Sequence, residues 1–115
     1  MISGIMYEQG DVLIVPFPFT DLSAIKQRPV LVLSKKEYNN KTDGIITCGI
    51  TSNLKDSENS VLIENKNLLN GEIPAISRIK VDKLFTIEES IVKKRLAKID
   101  IETFDKVRKE FINLI

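Results

Sequence analysis

Apolar residues fall into short runs along most of this chain, separated by turn-forming residues, and their spacing changes only near the C-terminus. Residues 11–15, Asp-Val-Leu-Ile-Val, are largely apolar and β-branched between Gly10 and Pro16, which predicts a strand buried on both faces or closely packed. Residues 29–34 predict a second strand, with Pro29 at its start, where a missing N–H is tolerated. The segment between them, 16–27, predicts a loop, because Pro16 and Pro18 fix φ and withhold backbone donors. After a polar stretch at 35–44 with turn signals, strands are expected at 45–51, 60–64 and 91–99, extended structure at 74–81, and 84–87 is a short apolar piece. Asn70-Gly71 reads as a tight turn.

From residue 101 the period becomes helical. Ile101, Phe104, Val107, Phe111 and Leu114 form an apolar stripe. Asp100 is placed to cap that helix, and Glu102–Lys106 and Asp105–Lys109 are spaced as i,i+4 ion pairs. Short strands at regular spacing followed by one helix predict a mainly β fold, a small twisted barrel or roll with an amphipathic C-terminal α-helix. The helix stripe must be covered by the barrel or by a second subunit. No repeat, linker or low-complexity tract divides residues 1–115, so a single domain is expected.

Composition narrows the chemistry. The chain has no histidine and one cysteine, Cys48, inside an expected strand. A disulfide within the chain is excluded, and a buried inert thiol is expected. Without histidine, paired cysteines or a glycine-rich phosphate loop, no metal, no nucleotide cofactor and no Ser-His-Asp chemistry is expected. No apolar run approaches the length of a bilayer span, and no signal-peptide pattern opens the chain, so no membrane association and a cytoplasmic address are expected.

The net charge is only +1, but it is distributed in blocks. Residues 26–55 and 77–98 each carry +4, while 1–25 and 56–76 each carry −3. Two basic blocks between acidic ones fit a local anion-binding face, or lysines scattered over a solvated surface. Lys93-Lys94-Arg95 reads as a solvated face.

Several segments, in this order, resemble the MazF/PemK-like toxins of toxin–antitoxin systems. They are Gly10-Asp11-Val12, residues 16–21, the run from Lys26 through Arg28-Pro29 to Leu33, Ile50-Thr51-Ser52-Asn53, Ser77-Arg78-Ile79-Lys80 and Leu84-Phe85-Thr86-Ile87. The resemblance spans nearly the whole chain. It implies an SH3-like barrel, a homodimer and metal-independent cleavage of single-stranded RNA, leaving a 2′,3′-cyclic phosphate and a 5′-hydroxyl. The implied partner is a cognate antitoxin whose flexible acidic tail occupies the RNA groove.

On the same resemblance, Arg28 matches the family's catalytic arginine and Thr51 its catalytic threonine. An arginine fork can hold two phosphate oxygens, and a threonine hydroxyl can donate to the same group. The plainer readings are a surface or interface charge for Arg28 and a strand-ending β-former for Thr51. Phe17 and Phe19 suit stacking of unpaired bases or packing of the barrel end. Lys26 and Lys80 suit phosphate contacts. Ser77 suits the groove lining or a plain strand position. Thr20, Ser52 and Asn53, from the matching segments, complete the expected RNA-binding set. Arginine is always protonated and serves poorly as a general base; Asp21 and Glu37 are the nearest acidic residues in sequence.

Two other functions fit a barrel of this kind. One is a CcdB-like toxin that poisons gyrase without catalysis. The other is an SH3-like barrel that only binds nucleic acid or a peptide. Arg28 and Thr51 favour the ribonuclease, since neither alternative needs a phosphate-gripping arginine.

Overall fold

The structure, a computed structural model, describes residues 6–18 and 25–115. Its elements run β1 (Asp11–Pro18), β2 (Ile25–Val32), α1 (Lys36–Lys41), β3 (Gly44–Thr51), β4 (Ser60–Ile63), β5 (Leu68–Gly71), β6 (Ser77–Glu88), β7 (Lys94–Ile99) and α2 (Ile101–Leu114). The strands form one antiparallel sheet in the order β4-β6-β3-β2-β1-β7-β5. The fold is mainly β with a C-terminal helix, as the pattern predicts.

The sheet curls rather than closes, and both its faces carry apolar cores. Val12, Leu31, Cys48, Ile50, Ile63, Ile79, Val81 and Ile99 meet on the first face, with Val107 of α2 among them. These residues come from β4 at one edge through to β7 near the other, and only a curled sheet lets them touch. Leu13, Val15, Val30, Val32, Ile45 and Ile87 pack on the second face with Tyr7. Two buried faces explain why β1 and β2 read as continuous apolar runs.

Several predicted boundaries move: the polar stretch at 35–44 folds into α1, the strand expected at 91–99 starts only at Lys94, and three further shifts have a backbone reason. The loop expected at 16–27 is largely strand, because β1 continues to Pro18 and pairs with β2 from Ile25, with Pro16 opposite Gln27. The oxygen of Ile14 accepts from the Lys93 N–H on the β7 side. By alternation, Pro16 and Pro18 also turn their backbone groups to that side, beyond the last β1–β7 pair at Ile14–Lys94. Their missing donors therefore fall on an unpaired stretch of β1. The tight turn expected at Asn70-Gly71 is instead part of β5, paired with β7. Gly71 has φ +77°, and a Cβ there would stand 2.1 Å from the Leu96 oxygen, so glycine is required.

The extended segment expected at 74–81 and the short apolar piece at 84–87 belong to one strand, β6, with a bulge. Cys48 pairs with Leu84 and the next residue, Gly49, with Lys80, leaving residues 81–83 as extra chain on β6.

Helix α2 begins as expected, with the Asp100 carboxylate accepting the Thr103 N–H at 2.7 Å. Asp105 pairs with Lys109 at 3.2 Å and also with Arg108, while Glu102 and Lys106 form no ion pair among the described residues. The buried stripe is shifted from the predicted one. Thr103 and Val107 are buried and Phe104 and Phe111 pack beside them, but Ile101 is 82% exposed. No helix among the described residues is long and apolar enough to cross a membrane.

Candidate functional site

Arg28 owes its place to the residue after it. In β2, Leu31 pairs with Cys48 and Val30 with Gly49, where the β2–β3 ladder ends. Leu33 donates its N–H to Ile46 of β3, so by alternation Pro29 also faces β3 and has no N–H to continue the ladder. The same register carried two residues further sets Arg28 opposite Thr51 across the seam where pairing has stopped.

Side-chain alternation puts both residues on the second face. Arg28 shares it with its cross-strand partner Val15 and with Val30, both in the second core. Ile50 belongs to the first core, so Thr51 turns to the second face. On the far side of β3, Thr51 pairs with Arg78, and Arg78 pairs with Leu62 of β4. A row therefore crosses the sheet from Leu62 through Arg78, Thr51 and Arg28 to Val15. Its middle holds two guanidinium groups and one hydroxyl. Phe17 and Lys26 pair one step further along β1 and β2, on the same face.

Thr51 Oγ1 accepts the Asn53 N–H at 3.1 Å, and Asn53 Oδ1 accepts the Lys55 N–H at 3.2 Å. These local turns end β3 and leave the Thr51 hydroxyl hydrogen to donate elsewhere. The side chains of Ser52 and Asn53 are exposed beside it.

Phe17 is half-buried and meets Phe85 edge to face, with ring centroids 4.7 Å apart and planes at 88°. This aromatic packs against the second core while keeping part of its surface exposed. Lys26 is exposed. Phe19, Thr20 and Asp21 lie outside the described residues.

Two residues of the expected set stand elsewhere. Ser77 lies two positions before Ile79 and shares its side of β6, so it faces the first core. It is buried, and its hydroxyl donates to the Ala75 oxygen at 2.9 Å. Lys80 is on the second face, but its ammonium is buried beneath the loop at 52–59. There it donates to Asp56 Oδ1 at 2.8 Å and to the oxygens of Asp56 and Glu58. The sequence suggested a phosphate contact for Lys80; the fold commits its three donors to protein oxygens.

Arg78, Lys83 and Phe85 also stand on or beside this face and were not singled out from the sequence. Phe85 Cε2 and Lys83 Cβ lie 3.5 and 3.6 Å from where a Gly49 Cβ would stand. Only the β6 bulge brings them over Gly49. The alternating charged positions Arg78 and Lys80 were the one signal available in sequence.

No other chemistry gathers nearby. Cys48 is fully buried in the first core, and desolvation, with a smaller contribution from Asp82, pushes its thiol up to about 12. No group of three or more metal-ligating side chains forms among the described residues. A cleft of about 470 Å³ lies between α1 and the start of α2, lined by Glu8, Lys36, Glu37, Lys98 and Asp100 among others. It contains none of the row, and it places Glu37 apart from Arg28. Lys93, Lys94 and Arg95 are exposed as expected, although Arg95 also holds the buried Asp11 carboxylate at 3.2 Å.

Comparison with known proteins points one way. The family described as PemK-like, MazF-like toxin of type II toxin-antitoxin system matches residues 8–115. No curated protein matches the sequence. Among solved structures, the chain is similar to one from a MazE–MazF crystal of Deinococcus radiodurans, with 21% identity, TM-score 0.76 and 96% of each chain covered. It is also similar to the Mycobacterium tuberculosis toxin MazF-mt6, with 17% identity, TM-score 0.69 and coverage of 90% of this chain and 93% of that one. A mycobacterial endoribonuclease in complex with its cognate antitoxin shares 16% identity at TM-score 0.71, covering 94% of this chain and 91% of that one.

Proposed function

The chain belongs to the PemK-like, MazF-like toxins of type II toxin–antitoxin systems, and from that premise we propose that it is a metal-independent endoribonuclease acting on single-stranded RNA. The observation that carries this reading is the register of β2 on β3, which, extended two residues past its last pair at Val30–Gly49, lines Arg28 up with Thr51 on one face. The family match supplies the reaction class, and the residues of the row supply a chemical account of it.

RNA brings its own nucleophile. The 2′-oxygen attacks the adjacent phosphorus, the bond from phosphorus to the 5′-oxygen breaks, and a 2′,3′-cyclic phosphate and a 5′-hydroxyl remain. The 2′-hydroxyl proton leaves to water or a phosphate oxygen, and the departing 5′-oxygen takes one up. Negative charge grows on the non-bridging oxygens during the attack. Arg28 presents a fixed positive fork to those oxygens, and the Thr51 hydroxyl donates to the same group. Neither residue exchanges a proton, in keeping with a guanidinium that stays charged. Phe17 offers an aromatic edge for an unpaired base, and Lys26 a mobile cation for the neighbouring phosphate. Ser52 and Asn53 belong to the same RNA-binding set, and Phe19 and Thr20 join it on the sequence match alone.

The partner we propose is a cognate antitoxin, as in the MazE–MazF and endoribonuclease–antitoxin structures this chain resembles. Its acidic tail would compete with RNA for Arg28 and Lys26. The active species is a homodimer.

The test is incubation of the purified protein with mixed-sequence RNA in excess chelator. Discrete cuts ending in cyclic phosphate are expected. Intact RNA, or cuts that appear only with added divalent metal, would overturn the reading.

A further inference from the structure

The loop at 52–59 follows Thr51 directly and carries no helix or strand, yet it is held at several points from one strand. Arg78 Nε donates to the Leu54 oxygen at 2.7 Å, and its Nη1 donates to Ser60 Oγ at 3.3 Å. Lys80 donates to Asp56 Oδ1 at 2.8 Å, to the Asp56 oxygen at 3.5 Å and to the Glu58 oxygen. Val81 donates its N–H to the Asn59 oxygen at 3.0 Å. Within the loop, Ser60 Oγ donates to the Ser57 oxygen and the Asp56 N–H to the Asn53 oxygen.

The burial of the central pair is lopsided. The Lys80 side chain is 5% exposed, while that of Asp56 is 46% exposed. A buried ammonium requires acceptors, because losing them leaves a desolvated charge without compensation. The loop supplies those acceptors, so the loop conformation and the burial of Lys80 stand or fall together. Asp82 Oδ1 adds a second carboxylate 3.9 Å from Nζ, and this buried oxygen has no hydrogen-bond partner.

The far end of this arrangement is the candidate catalytic hydroxyl. The Asp56 N–H is tied to the Asn53 oxygen, and the Asn53 N–H donates to Thr51 Oγ1. The loop therefore holds Thr51 Oγ1 as an acceptor, and shifting the loop would shift that contact.

We propose that Lys80 and Asp56 are a positioning pair: they clamp the loop at 52–59 and thereby orient the Thr51 hydroxyl for its role opposite Arg28, without contacting RNA. The proposal rests on the ribonuclease reading above. It differs from a phosphate-contact role in a way experiment separates. Asp56 is acidic, so if the loop acts only through charge, removing it should tighten RNA binding. If it belongs to a clamp, removing it should slow the chemical step.

The experiment measures kcat and KM for parent, Asp56→Ala, Asp56→Glu and Lys80→Met on one RNA oligonucleotide that the parent cuts, over a range of salt, with thermal unfolding of each. Asp56→Ala should lower kcat by about tenfold, the scale of a displaced reacting group. KM should stay near the parent's, the melting temperature should fall only modestly because the backbone oxygens of Asp56 and Glu58 still accept from Lys80, and Asp56→Glu should restore the rate. Lys80→Met should lower kcat without changing the salt dependence, whereas loss of a phosphate contact would reduce the salt slope by about one. If Lys80→Met does not fold, the exposed Asp56→Ala decides. A kcat for Asp56→Ala within twofold of the parent's, or a loss that merely tracks unfolding, overturns the clamp and leaves the ribonuclease reading standing. A parent that cuts no RNA overturns both.

Discussion

The two faces of the curled sheet are built from the same strands and differ in how they are finished. On the first face, Leu31, Cys48, Ile50, Ile63 and Ile79 are sealed by Val107 and its neighbours on α2. On the second, Leu13, Val15, Val30 and Val32 form an apolar floor. At one end that floor gives way to Arg28, Thr51, Arg78 and the loop-bound Lys80. The helix covers the first face; the second face carries Arg28 and Arg78 half-buried and Lys80 buried under the loop at 52–59. On the proposed function, the first face carries stability and the second the chemistry.

Substitutions on the two faces should therefore separate stability from activity. The largest effect is expected on the closed face. Leu31→Ala should cost about 2–5 kcal/mol of stability in chemical denaturation, with the folded fraction still cutting RNA at the parent's rate. Arg28→Ala should do the reverse, lowering kcat/KM for RNA cleavage by about 10²- to 10³-fold with little change in melting temperature. If Arg28→Ala instead destabilises the fold as much as Leu31→Ala, the guanidinium is a structural group and the two faces are not divided in this way.

Smaller effects sharpen the boundary. Thr51→Val keeps a β-branched residue at the end of β3 but removes the donor, and should slow cleavage by about 10- to 100-fold, the scale of one hydrogen bond to a charged group. Asp100→Ala removes the cap of α2 and should cost about 1 kcal/mol of stability while leaving cleavage of the folded protein unchanged.

Acid should act on both faces. Asp100 is held below the usual carboxylate range by hydrogen bonds from Thr103, Glu8 by its bond from Lys98, and Asp56 by its bond from Lys80. Carboxyls with lowered folded-state values stabilise fully above their unfolded values and lose that contribution as pH falls through the folded ones. Stability should therefore be flat near neutrality and decline below about pH 4. A melting temperature that rises on acidification would contradict these pairings.

Much of this was legible in the residues. The run ending at Thr51 marks the end of β3, Arg28-Pro29 marks the point where β2 can no longer pair with β3, and Asp100 with the change of period marks α2. Each is a local property: an apolar run, a missing N–H, a capping side chain.

What the sequence could not determine is which side chains share a face. Thr51 and Arg28 are 23 positions apart, and only the pairing of Val30 with Gly49 sets them opposite each other. Ser77 and Lys80 belong to one short motif, yet Ser77 faces the first core while Lys80 turns to the second face and its ammonium is drawn beneath a loop some twenty residues upstream. Phe85 reaches Phe17 across a register shift of β6. Strand alternation assigns faces only relative to a neighbour, and a bulge resets that assignment through backbone pairing that is non-local in sequence. The sequence therefore determined most of the apolar runs, the breakers and α2, and its resemblance to the family singled out the candidate arginine and threonine. The tertiary structure alone decided the row across the sheet, and that Lys80 is committed to protein oxygens.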